Sequence, residues 1–131
     1  MANWARDGHG LWVLRTLHDL GPGEFIGVGG CNLLSETAWN LSFSLRPSAW
    51  GHGYAQEAAA SGIAQALAVR PHLPITAVVA RGNIRSHRAV ERAGLQRMWQ
   101  GPDSHDPNPA AIMTLYSDRA LADEQISWLT S

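Results

Sequence analysis

The chain has 131 residues, 45% of them hydrophobic, which predicts one domain over residues 1–131 with an ordinary apolar core. A net charge of −1 gives no electrostatic drive toward nucleic acid or an anionic membrane. The apolar runs fall short of the roughly 18 to 20 residues that span a bilayer, and "MANWARDGHG" lacks a signal-peptide core, so the expectation is a cytoplasmic protein with no nucleic-acid or membrane partner. The single cysteine, Cys31, has no partner for an internal disulfide. No cysteine and histidine spacing resembles a zinc site, so no metal is expected, and Cys31 reads as a packed small hydrophobe rather than a reactive thiol.

Taken in chain order, "LWVLRTL" at residues 11–17 reads as a strand, and "LGPGE" at 20–24 carries hairpin-turn chemistry. "FIGVGGCNLL", residues 25–34, is its partner, with glycines that signal a bulge or a closely packed backbone. "WNLSFSL" sets Trp39, Leu41, Phe43 and Leu45 on one face and Asn40, Ser42 and Ser44 on the other, a strict period of two. Next, Ala55, Ala58, Ala59, Gly62, Ile63, Ala66 and Leu67 form the stripe of an amphipathic helix whose small residues allow close approach to a sheet. "ITAVVA", residues 75–80, is apolar throughout and predicts a central strand buried on both faces. Asn83 caps a second helix running to about Ala93, and Gly94 ends it in a left-handed conformation. "LQRMWQG" and "AIMTLYS" are closing strands around the polar loop "PDSHDPNP", and the tail predicts a helix docked by Leu121, Ile126 and Trp128. This order is an α+β sheet with packed helices, without the regular alternation of a doubly wound fold.

The stretch "RPSAWGHGYAQEA" runs from a strand through two glycines into a helix. Amides at a helix start lack internal acceptors, glycine leaves the backbone bare, and the helix dipole favours an anion there, so a phosphate or pyrophosphate fits. A tight turn alone would need the same glycines. A P-loop is excluded because no lysine followed by serine or threonine comes after them, and the dinucleotide fingerprint is poor because the turn follows the third strand of a meander.

Three segments together resemble the GNAT superfamily of N-acetyltransferases, particularly its ribosomal-protein N-terminal acetyltransferase branch. "WGHGYAQEA" resembles the turn that grips the pyrophosphate of acetyl-coenzyme A, with Trp50 where many members have glutamine or arginine. "NIRSHRAVERAGL", residues 83–95, resembles the second signature, and "GLWVLRTLHDLGPGEFIGVGG", residues 10–30, the second and third family strands. The match covers roughly residues 4–117.

The resemblance implies a mixed, mostly antiparallel sheet with flanking helices, splayed where strands 41–46 and 75–81 diverge to admit pantetheine. Backbone groups of Ser44, Leu45 and Arg46 would pair with that arm. The segment of Trp50, Gly51, His52, Gly53, Tyr54, Ala55 and Gln56 would hold the pyrophosphate, and Asn83, Ser86 and Arg88 would face the cofactor. Arg81, Arg85 and Arg88 also make a local positive cluster, suited to a ribose phosphate or equally to a solvated helix face.

The implied activity is acetyl transfer to a primary amine, on a protein N-terminus or a small molecule; the alternative is a non-catalytic acyl-coenzyme A-binding module. A lysine amine, with a pKa of about 10.4, is almost wholly protonated at neutral pH, whereas an α-amine near 7.7 to 8.0 is appreciably neutral, so a lysine-like acceptor demands more of a base. Where many relatives carry a glutamate base this chain has Asn40, and where many carry a tyrosine acid it has Val90. Ser86 is the candidate catalytic residue, Tyr54 a substitute, and no base is named. Glu36, Glu57 and Glu91 are the nearby carboxylates, the last two read as helix-surface residues. His52 reads as a loop residue and His87 as a helix-surface one. Family members also have a first strand and one or two helices ahead of residue 11, where this chain has only "MANWARDGHG", with Trp4 as a stub of the second helix. The expectation is a truncated chain, a minimal variant, or a homodimer in which a second copy completes the acceptor wall.

Overall fold

The structure, a computed structural model, describes residues 2–3, 12–15, 25–47, 50–51 and 53–131. The turn at residues 20–24, Trp4 and His52 lie outside them. Seven strands and three helices are described: β1 (Ala2–Asn3), β2 (Trp12–Arg15), β3 (Phe25–Leu34), β4 (Ala38–Leu45), α1 (Tyr54–Val69), β5 (Ile75–Ala80), α2 (Ile84–Arg92), β6 (Gln96–Pro102), β7 (Ile112–Ser117) and α3 (Asp123–Thr130). They form one sheet in the order β1-β2-β3-β4-β5-β7-β6. Every neighbouring pair is antiparallel except β4 and β5. A short strand, β1, thus precedes β2 where none was expected.

The period-two pattern of residues 39–45 sorts as read. Cross-strand partners Cys31 and Leu41, and Leu33 and Trp39, share the face that enters the core, while Asn32 pairs with Asn40 on the other. The β3–β4 hairpin closes through Ser35 and Glu36, both at positive φ (46° and 55°), with the Thr37 N–H donating to the Leu34 carbonyl at 2.8 Å. That is the backbone of a type I′ turn, built here without its usual asparagine and glycine.

The core joins this face of β3, β4 and β5 to α1 and α2 in a single cluster centred on Trp39, Ile75, Val90 and Tyr116. The small-residue stripe of α1 buries Ala58, Ala59, Gly62 and Ala66. It lets the helix approach so closely that a Cβ on Gly62 would stand 3.0 Å from the Gly30 Cα. The stripe is narrower than the periodicity suggests, because Leu67 is exposed at its edge. Asn83 caps α2 by accepting from the Ser86 N–H at 3.3 Å. Gly94 (φ 99°) ends the helix with the Leu95 N–H on the Val90 carbonyl and its own N–H on that of Glu91, a Schellman closure.

Two expectations need correction. Strand β5 is buried on both faces only at its start: Val78 is 44% exposed and Ala80 is also exposed, because they point away from the helices. The tail helix forms with Leu121 and Ile126 half-buried, but Trp128 is 43% exposed and no residue of α3 is fully buried.

Candidate functional site

Parallel strands β4 and β5 pair only at Trp39 with Ile75 and Asn40 with Thr76. The junction is pinned from both sides, with the Trp39 N–H donating to the Pro74 carbonyl at 2.8 Å and the Thr76 hydroxyl to the Trp39 carbonyl at 2.8 Å. Beyond it β4 continues to Leu45 and β5 to Ala80 without pairing, so the strands part as the sequence resemblance implied.

A cleft of about 490 Å³ opens past the end of β4. One wall comes from Phe43, Ser44 and Leu45, and a second from Trp50, Gly51, Gly53 and the first turn of α1, including Tyr54, Ala55 and Gln56. The third wall is α2, through Asn83, Ser86, Ala89 and three guanidinium side chains, Arg85, Arg88 and Arg92. Gly51 and Gly53 have φ of 83° and 78°, a region costly for other residues, and a Cβ on either would meet nothing within 4 Å. The first helical bond of α1 runs from the Glu57 N–H to the Gly53 carbonyl at 3.0 Å, leaving the Ala55 and Gln56 amides ahead of the helical ladder. Gln56 also keeps its side-chain Oε1 buried without a hydrogen-bond partner. Open glycine backbone, a helix start and a row of cations supply donors suited to a phosphorylated ligand, and the Gln56 Oε1 adds one unbonded acceptor.

Most of the cofactor-facing residues read from the sequence therefore meet in one cleft. Arg46 and Arg81 do not line it: Arg46 follows the end of β4, and the Arg81 backbone N–H is bound to the Ile112 carbonyl at 2.9 Å. Sequence reasoning missed Arg92, although Arg85, Arg88 and Arg92 recur at i, i+3 and i+7 and so share a helix face. It also assigned Phe43 to the core face alone. Among the described residues no carboxylate pairs with Arg85, Arg88 or Arg92.

The candidates for proton transfer are mostly engaged elsewhere. Asn40 donates from Nδ2 to the Asn32 Oδ1 at 3.2 Å, and Val90 is 2% exposed in the core. Glu36 sits in the hairpin at the far end of β4 from the cleft, ion-paired with Arg70 at 3.1 Å. Glu57 is exposed on the first turn of α1 and Ser86 is a half-buried lining residue.

His87 is half-buried on α2 rather than free in solvent. Its ring meets Tyr116 edge to face at 5.7 Å, with Nδ1 2.7 Å from the Tyr116 hydroxyl and Nε2 3.0 Å from the Ala80 carbonyl. Tyr116 donates to the Glu91 Oε2 at 3.0 Å, and Arg97 stands 4.0 Å from the same carboxylate. A carbonyl only accepts, so Nε2 carries a proton. The single Tyr116 hydroxyl hydrogen can then serve either His87 Nδ1 or Glu91 Oε2, so the two acceptors share one donor. Burial pushes the Tyr116 hydroxyl pKa up. This array lies on the flank of α2 away from the cleft, since none of its members lines that cavity. Burial, with a smaller contribution from the Asp118 charge, pushes the Cys31 thiol up to about 12, which makes it an inert packing residue. Among the described residues no group of three or more histidine, cysteine and acidic side chains could hold a metal, and no helix is long and apolar enough to cross a membrane.

A mixed sheet with flanking helices that parts beside a glycine turn and a helix start is an acetyltransferase fold. Residues 1–96 match the acetyltransferase (GNAT) domain family, and the chain belongs to that family. It is 29% identical over 103 residues to the uncharacterized protein YkkB of Bacillus subtilis (strain 168), covering 72% of this chain and 58% of YkkB. Among solved structures it is similar to a GNAT-family acetyltransferase from Bacillus anthracis, with a TM-score of 0.71, 17% identity and coverage of 82% of this chain and 64% of that one. A GNAT-family acetyltransferase structure from Bordetella pertussis gives a TM-score of 0.70, 20% identity and coverage of 88% and 69%. The chain thus spans less than two thirds of the YkkB and Bacillus anthracis proteins.

Proposed function

We propose that this chain is an acetyl-coenzyme A-dependent N-acetyltransferase that acts on a primary amine, either a protein N-terminus or a small molecule. The observation that carries the reading is that one cleft unites the glycine turn before α1, the capped start of α2 and the unpaired edge of β4. In it the Gly51 to Gln56 backbone would hold the pyrophosphate, Ser44 and Leu45 the pantetheine arm, and Arg88 with its neighbours the remaining phosphate. Acetyl-coenzyme A would supply the activated thioester. Transfer forms the acceptor C–N bond, breaks the C–S bond and moves one proton, net, from amine to thiol.

No aspartate, glutamate or histidine is among the described residues lining the cleft. Deprotonation then falls to water, and the acceptor must arrive with an appreciable neutral fraction. That favours an α-amine over a lysine-type amine. We take residues 1–131 as one such domain, of the ribosomal-protein N-terminal branch and cytoplasmic.

The same missing carboxylate favours a second reading, a non-catalytic acyl-coenzyme A-binding module. Thiol release from acetyl-coenzyme A, followed against peptides with free N-termini, lysine and polyamines, separates the two. The enzyme predicts acceptor-dependent thiol release that is fastest with α-amines. Calorimetric binding without turnover on any amine would favour the module, and absence of binding would overturn both.

A further inference from the structure

Helix α2 supplies one wall of the cleft, yet of Ile84–Arg92 only Ala89 and Val90 are buried. A polar attachment to the sheet lies on its flank away from the cleft. There His87 places Nε2 3.0 Å from the Ala80 carbonyl at the end of β5 and Nδ1 2.7 Å from the Tyr116 hydroxyl on β7. That hydroxyl is also 3.0 Å from Glu91, one turn along α2, and Glu91 faces Arg97 of β6 at 4.0 Å. Among the described residues these are the groups that meet the ring, directly or through Tyr116, from its own helix and from β5, β6 and β7.

The arrangement has two acceptors for one hydroxyl hydrogen. With a single proton on the ring, held at Nε2 by the Ala80 carbonyl, Tyr116 serves either Nδ1 or Glu91, and α2 is joined to β7 by one bond. A second proton, on Nδ1, donates to the Tyr116 oxygen and frees the hydroxyl hydrogen for Glu91, so both contacts become charge-assisted bonds. The Arg97 guanidinium beside Glu91 favours a charged carboxylate, which leaves the imidazole as the place for the added proton. The step takes one proton from solvent and breaks no covalent bond.

Two bonds a helical turn apart resist rotation of α2 about its axis, where one bond acts as a pivot. Rotation matters to the cleft because Arg85, Arg88 and Arg92 line it from the neighbouring face of the same helix. We propose that His87 is a pH-dependent positioning residue: its protonation fastens α2 to β7 at two points instead of one and tightens the cleft's hold on a phosphorylated acyl carrier. The ligand in this statement rests on the coenzyme reading above, whereas the latch itself does not. The latch also gives a role to the histidine and to the hydroxyl of a fully buried tyrosine, neither of which the transfer step uses.

The test uses the full chain as wild type, His87→Gln and Tyr116→Phe. Coenzyme A affinity is measured by calorimetry at about pH 5.5 and about pH 8, either side of ordinary histidine titration. Changes due to the ligand's own phosphate, or to His52 in the glycine turn, are common to all three chains and cancel in the comparison. Lowering the pH should tighten wild-type binding roughly five- to tenfold more than binding by either variant, the lower end of ordinary coupling between two sites. Amide exchange of the ligand-free wild type supplies a second readout, which survives if a variant folds poorly. Protection of α2, corrected for intrinsic rates, should rise as the pH falls across the same range. Parallel pH profiles in wild type and His87→Gln would overturn the proposal, and so would pH-independent protection of α2 in the wild type. A Tyr116→Phe chain that keeps the wild-type profile would assign the effect to the imidazolium charge alone and overturn the latch. Wild type that binds no coenzyme A at either pH would refute the coenzyme reading, and the exchange data would then decide the latch by themselves.

Discussion

Replacing Gly62 by alanine sets two known effects against each other at the contact between α1 and β3. In an exposed helix interior, alanine is favoured over glycine by about 1 kcal/mol. At Gly62 the added Cβ would stand 3.0 Å from the Gly30 Cα and 3.3 Å from the Cys31 N and the Gly30 carbonyl carbon. Carbon pairs prefer about 3.5 to 4.0 Å. All three atoms are backbone of a strand paired on both sides, so relief requires α1 to move outward as a body. Overpacking of this kind costs roughly 1 to 3 kcal/mol, and the net expectation is a loss of about 1 kcal/mol despite the better helix former. Ala64, exposed on the same helix, supplies the internal reference: Ala64→Gly should cost about 1 kcal/mol through propensity alone. Urea unfolding of both variants, with the m-value checked for constancy, gives the comparison directly. A Gly62→Ala protein more stable than the parent by about the amount that Ala64→Gly loses would refute the close approach.

The Cys31 thiol is raised from 9.0 to about 12 in the folded chain, so the folded state holds its proton more tightly than the unfolded one. Stability is then intact below 9.0 and falls as pH rises toward 12, by about 1.4 kcal/mol per pH unit. Cys31→Ala should flatten the decline between 9.0 and 10.0, ahead of tyrosine ionisation, in urea midpoints measured across that range; an unchanged slope would exclude the thiol as its source. Tyr116→Phe removes the hydroxyl shared by His87 and Glu91 and should cost about 1 to 2 kcal/mol, with the His87 ring signals shifting in NMR spectra. Gly53→Ala should cost about 1 to 2 kcal/mol, the strain of an L residue at φ 78°, since its Cβ touches nothing in the protein. The same methyl faces the proposed phosphate site, so the stabilisation by saturating coenzyme A, about 2.7 kcal/mol at a hundredfold excess over the dissociation constant, should disappear in thermal melts. A full coenzyme shift in that variant would place the phosphates elsewhere.

Much of the fold was legible because its signals are local. Strand β3 has the expected bounds, the alternation in β4 sorts its two faces, and Asn83 and Gly94 bracket α2 through backbone chemistry that needs no distant partner. The cleft was legible in outline for the same reason, since both of its helix starts are marked in sequence. What escaped depends on tertiary context. His87 looks like a surface histidine until Tyr116, 29 residues away, brings a hydroxyl to its ring. An all-apolar β5 looks buried on both faces, yet nothing in its own letters says that Val78 lacks a cover. The turn at Ser35 and Glu36 carries no glycine or asparagine to announce it, so Glu36 could be counted among carboxylates near the cleft when β4 carries it to the opposite end.

The brief pairing of β4 with β5 makes the sheet two blades joined by a stitch of two residue pairs, with α1 and α2 bridging them on one side. Such a seam has little backbone stiffness of its own. Packing of α1 and α2 across the blades carries the join, and an extended ligand lying in the gap, as proposed, would act as a strand the chain never encodes. The protein would then complete its own sheet only while holding its substrate, and local opening should start at the free edges beyond Asn40 and Thr76.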